Sequence, residues 1–453
     1  MATNFEKIPQ EIIEQICLEL RKADYSSLLS LSRVSRRLRN IAITAIVEKV
    51  QFAGTQDRVW GHPEPQDNRP GLLRMFMENP DIAYRVKEIS NNSCGHLVLS
   101  EAEFQTIALA TTRLGAPVPQ DLYKLLLDPL NHPGRGIRYH DADEGLVQNF
   151  MTDIIIAHTP NLRTLEYHVS QTDPRKAFQT LSQVSNATGN RPLLSKLVDC
   201  RLHLDDCANL AQPLADAAPN LDSLWIIGPR GLEAPLQLHG VRVLILTGAD
   251  FTATEISELL KGFPGLKKFW YNSARQYRRS NDRRELCSPQ DVADALGPVK
   301  SQLLELSLMF GVWQQQPRRP GTGPFTPRLL TSVRDFEALE HLDLDGGSLW
   351  NERGDYTNYV AENTDLLAKL LPGRLRKLAL LDLSRGPFNE DLSVFVGRSE
   401  QVCPDLKVIR YELKCWEKVD MKWMKEITMQ SQKHGVTIED TTATSDDEDD
   451  VDR

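Results

Sequence analysis

The chain of 453 residues is 41% apolar and 25% charged, the balance of a folded globular protein rather than of a low-complexity polymer. No run approaches the roughly 18 uncharged apolar residues that a membrane span requires, and a net charge of −9 argues against general nucleic-acid binding, which needs a basic surface. The length admits two or three ordinary domains of about 100–200 residues, or one short and one long.

Met1 to Lys7 run straight into an acidic amphipathic pattern, without the basic, apolar and small-residue succession of a secretory signal. Cytoplasm or nucleus is therefore expected. Seven cysteines (Cys17, Cys94, Cys200, Cys207, Cys287, Cys403 and Cys415) are scattered, odd in number and without a Cys-x-x-Cys pair, which reads as free thiols. The sequons at Asn91 and Asn186 are then expected to stay unmodified.

Residues 8–47 read as three short helices. Pro9 suits the first helical position, and Ile12, Ile16 and Leu20 follow at four-residue spacing beside Ile13 and Cys17. Asp24 reads as the N-cap of a second helix with Leu28, Leu29 and Leu31. A third helix carries Val34, Leu38, Ile41, Ala42, Ala45 and Ile46 on one side and Arg33, Arg36, Arg37 and Arg39 on the other. So small a unit buries little surface by itself, and its leftover apolar positions call for a covering partner.

The string Ile8-Pro9-Gln10-Glu11-Ile12-Ile13, then Ile16 and Leu20, then Asp24-Tyr25-Ser26-Ser27-Leu28, then Val34-Ser35-Arg36-Arg37-Leu38-Arg39 with Ile41-Ala42, resembles an F-box. Ile8 stands where that family usually has Leu, and Tyr25 where it usually has Leu after the Asp. The resemblance covers about a tenth of the chain. It implies docking to the small Skp-family adaptor of a cullin–RING ubiquitin ligase, through Ile8, Pro9, Ile12, Ile16, Leu20, Leu28 and Val34. Sequence does not divide these seven between the module's own core and the adaptor interface.

From about residue 84 an L-x-x-L-x-L pattern recurs. It opens weakly at Val86-x-x-Ile89 and continues at Leu162-x-x-Leu165-x-Tyr167, Leu197-x-x-Cys200-x-Leu202, Leu221-x-x-Leu224-x-Ile226 and Val241-x-x-Leu244-x-Leu246. It goes on through Leu266-x-x-Phe269-x-Tyr271, Leu303-x-x-Leu306-x-Leu308, Leu339-x-x-Leu342-x-Leu344, Leu375-x-x-Leu378-x-Leu380 and Leu406-x-x-Ile409-x-Tyr411. Pro stands two residues before several copies, at Pro160, Pro219, Pro264 and Pro404. Helical segments are expected between them at 144–158, 254–262, 289–296, 364–371 and 390–402. A short strand followed by a helix, repeated, is the signature of a leucine-rich-repeat solenoid, in which stacking buries what one repeat cannot. The predicted fold is therefore α/β: a three-helix F-box (1–50), a linker or helical connection (51–83), an irregular solenoid with a C-terminal cap (84–438), and an acidic disordered tail (439–453). Segments 54–70 and 317–328 read as exposed loops, and 275–284 as a basic loop with Arg275, Arg278, Arg279, Arg283 and Arg284. Trp416, Val419, Trp423 and Ile427 are spaced as an amphipathic helix that caps the last repeat.

If the repeat leucines point inward, the residue between the last two points outward. That row reads Glu166, Trp225, Ile245, Trp270, Ser307, Asp343, Ala379 and Arg410. Trp225, Ile245 and Trp270 fall on consecutive repeats and are the expected centre of a protein-substrate surface, since Trp is enriched at binding hot spots. The competing reading is that a loop or the C-terminal segment covers them.

No catalytic, cofactor or metal site is assigned. Cys200, His203 and Cys207 lack a fourth zinc ligand nearby. Asp343 and Asp345 lack the terminal Glu of a calcium loop, and Gly321-Thr322-Gly323 is not followed by the Lys of a phosphate loop. Six of the last eight residues are acidic, and Ser445 before Asp446-Asp447-Glu448 suits an acidophilic kinase. The reading is a non-enzymatic substrate receptor of an SCF-type ligase, similar to fungal F-box proteins, that binds neither nucleic acid nor membrane. The alternative is a leucine-rich scaffold acting outside any ligase.

Overall fold

The computed structural model describes residues 8–23, 25–52, 68–91, 100–115, 118, 141–169, 178–187, 192–204, 211–273, 286–311, 328–349, 365–383, 385–413 and 421–441. The chain divides into two compact units, residues 1–204 with 210–223, and residues 205–209 with 224–453.

The first unit opens with α1 (Gln10–Ala23), α2 (Tyr25–Ser32) and α3 (Arg36–Glu48), which runs directly into β1 (Lys49–Phe52). Then come α4 (Arg69–Glu78), α5 (Pro80–Ala83), β2 (Glu88–Asn91), α6 (Glu101–Arg113), α7 (Asp141–Ala157), β3 (Thr164–His168), α8 (Gln179–Ala187), β4 (Asp199–His203) and α9 (Ala211–Ala217). The four strands lie in chain order and pair in parallel, with Val50, Ile89, Leu165 and Cys200 in one register row.

The second unit carries β5 (Ser223–Ile227), β6 (Val243–Ala249), α10 (Ala253–Lys261), β7 (Lys268–Ser273), α11 (Pro289–Ala295), β8 (Glu305–Met309), β9 (His341–Asp345) and α12 (Gly346–Leu349). It continues with α13 (Leu366–Leu370), β10 (Lys377–Leu383), α14 (Arg385–Val402), β11 (Val408–Leu413), α15 (Met421–Lys433) and β12 (Thr437–Asp440). β5 to β12 again follow chain order, and the registered pairs from β6 onward are parallel. Leu244, Phe269, Leu306, Leu342, Leu378 and Ile409 form one inward row, and all are buried. Two-residue alternation puts the second repeat leucine on the same face, so Leu246, Tyr271, Leu308, Leu344, Leu380 and Tyr411 make a parallel buried row.

The Pro-x-Leu signature has a local cause. The amides of Leu162, Leu221, Leu266 and Leu406 bond to the carbonyls of Thr159, Ala218, Phe263 and Cys403. Each closes a four-residue turn with Pro at its second position, where the fixed φ of Pro is already right. The turn delivers the leucine to the core and starts the next strand.

Four expectations need correction. β1 extends the sheet upstream of residue 84, into the segment assigned to the module and linker. Residues 69 and 70 are not exposed loop: they begin α4, and Arg69 and Pro70 are buried. The C-terminal helix is more than a cap, because it leads into β12, which pairs with β11. The tail begins later than 439, since β12 reaches Asp440 and the Thr441 amide bonds to the Tyr411 carbonyl at 2.9 Å. Asp24, the basic loop 275–284, Trp416, Val419 and Ser445 lie outside the described residues.

Candidate docking faces

The three-helix module is closed from within by Ile13, Cys17, Leu28, Leu38, Ile41, Ala42 and Ala45, with Ile8, Leu18, Leu20, Leu31 and Ile46 packed against them. Ser35 caps α3, its hydroxyl accepting the Leu38 amide at 3.2 Å. Two arginines tie the helices together: Arg37 Nη2 donates to the Ile8 carbonyl at 2.7 Å, and Arg21 Nη1 to Glu48 Oε2 at 3.0 Å.

That core leaves several apolar side chains uncovered. Ile12 is 53%, Ile16 42% and Val34 68% exposed. Pro9 is also exposed, Ile8 and Leu20 are half-buried, and a shallow depression is lined by Gln15, Ile16, Glu19 and Leu20. Leu28 is corrected: it is fully buried in the module core and serves packing, not the open face. Helical geometry explains the division. Ile12 and Ile16 lie one residue, about 100° of rotation, from Ile13 and Cys17, so one pair faces the core and the other faces out.

In the second unit the outward row is in register as expected: Ile245, Trp270, Ser307, Asp343, Ala379, Arg410 and Glu439 are successive partners. Trp225 and Ile245 are half-buried, and Trp270 is 40% exposed. Both indoles are anchored: Trp225 Nε1 donates to Thr247 Oγ1 at 2.8 Å and Trp270 Nε1 to Glu305 Oε1 at 3.0 Å. Glu305 also holds Lys268 Nζ at 2.7 Å. Ser307 and Ala379, expected on the surface, are buried, because each is a short side chain between long neighbours in the row. Burial pushes the Asp343 carboxyl up, with Lys377 opposing and Glu305 adding to the shift. Arg410 donates to Glu439 through Nε at 3.2 Å and Nη2 at 3.0 Å.

Glu166 stands apart, in the first unit's row between Ser90 and Arg201. Burial works to raise its carboxyl. The Ser90 hydroxyl at 2.7 Å, Arg201 and His203 outweigh it and hold Glu166 below the ordinary carboxylate range. His203 stacks on His168 with ring centres 5.0 Å apart.

The buried carboxylates serve the fold. Burial drives Asp153 well up against the opposing amides of Thr180, Phe178 and Leu181, at the start of α8. Asp391 of α14 plays the same part for α13, accepting the Leu367 amide at 3.3 Å. Sequence reasoning missed this capping between helices, because it joins residues 24 positions or more apart. Cys200 is fully buried and its thiol is pushed well up, the opposite of what a thiolate ligand needs. Cys207, its suggested partner, lies outside the described residues, and among the described residues no cluster of three His, Cys, Asp or Glu is placed to hold a metal ion.

No helix among the described residues is long and apolar enough to cross a membrane. No protein-family model matches the chain, and no curated protein matches it.

Proposed function

We propose that the chain is a substrate-recognition subunit of an SCF-type cullin–RING ubiquitin ligase, with the N-terminal module docking a Skp-family adaptor and the repeat face holding the target protein. The observation that carries this reading is the exposure of the apolar side chains Ile12, Ile16 and Val34 on a module whose core is already closed. Apolar side chains at this exposure, beside Pro9 and in the sequence frame that resembles an F-box, are the group a helical adaptor would cover. The subunit itself performs no chemistry. It acts by proximity, raising the effective concentration of its target at the charged ubiquitin carrier.

The test is direct binding of the purified chain to the adaptor, beside Ile12→Asp and Ile16→Asp. Both positions are exposed, so these variants are expected to fold and to lose binding by at least about tenfold, roughly 1.4 kcal/mol. One observation favours the scaffold reading: α3 passes into β1 without a linker, and β1 pairs with β2, as in a helical cap fused to its sheet. Failure of the folded wild type to bind the adaptor selects the scaffold.

A further inference from the structure

Resting on the reading of the repeat face as a target-binding surface, we infer that Trp225, Ile245 and Trp270, with the basic border beside them, seat an acidic polypeptide segment carrying apolar anchors. The platform spans three neighbouring strands, β5, β6 and β7. Strands are about 4.8 Å apart, so the backbones that carry the two indoles stand roughly 10 Å apart, with Ile245 on the strand between them. Three residues of a polyproline II segment, at about 3.1 Å each, span nearly that distance and bring positions i and i+3 to one face.

Both rings are fixed before any partner arrives, because each indole N–H already donates to Thr247 or Glu305. What the platform offers is apolar ring surface at little ordering cost. The charge around it is one-sided. At the N-terminal ends of β6 and β7 lie Arg242 and Lys268, both exposed, and Lys267, half-buried. Against these three cations stand Asp222, half-buried just before β5, and Glu305, which is already held by Lys268 and Trp270, so the border keeps a small net positive charge. On the opposite side the outward residues are Ile227, Thr247 and Asn272, all uncharged. Apolar anchors on the rings therefore place their flanking residues over a net positive border. Carboxylates are favoured there and a basic segment is repelled. The seat ends before β9, where Asp343 brings an opposing charge.

The probe is a fluorescein-labelled peptide with two leucines separated by two glutamates and flanked by further glutamates. Two twins accompany it, one with lysine for each glutamate and one with serine for each leucine. The full chain is expected to bind the glutamate peptide at least about tenfold more tightly than either twin, and less tightly as salt rises. Trp225→Ala with Trp270→Ala, and separately Lys267→Glu with Lys268→Glu, are each expected to weaken binding tenfold or more at unchanged melting temperature. If the Trp variant melts early, the charge reversal decides, since neither lysine is buried.

The inference falls if the lysine twin binds as well, if the wild type does not bind the glutamate peptide, or if the charge reversal has no effect. It also falls if the chain self-associates through the platform and Trp270→Ala makes it monomeric. Adaptor binding is measured on the same preparations. Its loss with peptide binding intact strikes the ligase reading alone, and the reverse strikes this inference alone.

Discussion

Ser348 Oγ lies 2.5 Å from Asp345 Oδ1 and 3.1 Å from the Leu308 carbonyl oxygen, two acceptors for one hydroxyl proton when Asp345 is ionised. Its donation to Asp345 Oδ1 favours the carboxylate. The Phe310, Gly311 and Ser348 amides favour the carboxylate, yet burial outweighs them and pushes Asp345 up to about 6. Asp391 is pushed up to about 7, by burial first and with Asp365 adding to it. Both folded values lie above the ordinary carboxylate value of about 4, so the folded chain binds these protons more tightly than the unfolded one. Their stabilisation is full below about pH 4 and is lost as pH rises through 6 and then 7, at up to about 1.4 kcal/mol per pH unit for each proton. Glu166, held low, acts in the opposite sense, and only at more acidic pH. Urea midpoints are expected to fall between about pH 5 and pH 8, and Asp391→Asn is expected to flatten that fall. A flat wild-type profile would refute the assignment.

Gly347 is irreplaceable for a related reason. A methyl group on its Cα would fall onto the carbonyl of Gly311, a backbone atom that cannot swing aside. Gly311 itself turns with φ +65°, so the two backbones approach where Asp345 ties them together. Gly347→Ala is expected to cost about 1–3 kcal/mol by overpacking, measured by thermal unfolding, whereas Gly71→Ala, with nothing near its Cα, is expected to be neutral or slightly stabilising.

Arg69 is 1% exposed. Its guanidinium donates to the Gln148 carbonyl at 3.3 Å and Thr152 Oγ1 at 3.2 Å, and lies 5.7 Å from the centre of the Phe52 ring. It thereby fastens α4 to α7 and to β1. Arg69→Ala leaves a cavity and unmet acceptors together, an expected loss of about 2–4 kcal/mol. Arg69→Met fills most of the volume and is expected to lose less. Equal losses would mean that the polar contacts, not the packing, dominate.

Why Arg69 went unread is instructive. Arg69-Pro70-Gly71 follows a stretch rich in Pro and polar residues, so local composition says loop, while burial is imposed by α7 from almost 80 positions away. The repeat strands were legible because their cause is local: Pro fixes a turn, and alternation sends Leu or Ile inward and Trp225, Ile245 and Trp270 outward. β1 was not, since Lys49-Val50-Gln51-Phe52 has the alternation but no leucine. The outward row was placed correctly along each strand, yet Ser307 and Ala379 are hidden by taller neighbours, which alternation alone does not report. In the module, Ile12 and Ile13 are adjacent apolar residues of equal size. Only the positions of α2 and α3 decide which of them is core.

That division makes Ile16 and Leu28 the sharpest pair to separate core from open face. Leu28 has no exposed surface and touches the inward side of the three-helix cluster. Leu28→Ala is expected to cost about 2–5 kcal/mol, from lost transfer energy and the cavity left behind. Ile16 is 42% exposed, so Ile16→Asp removes less buried area than Leu28→Ala, and its cost is expected to be smaller, about 1–2 kcal/mol. Ile16→Asp is instead expected to reduce retention on an apolar matrix, because one of the exposed apolar side chains of α1 becomes a carboxylate. If Ile16→Asp unfolds the module as readily as Leu28→Ala, Ile16 is part of the core, and the docking face loses its basis.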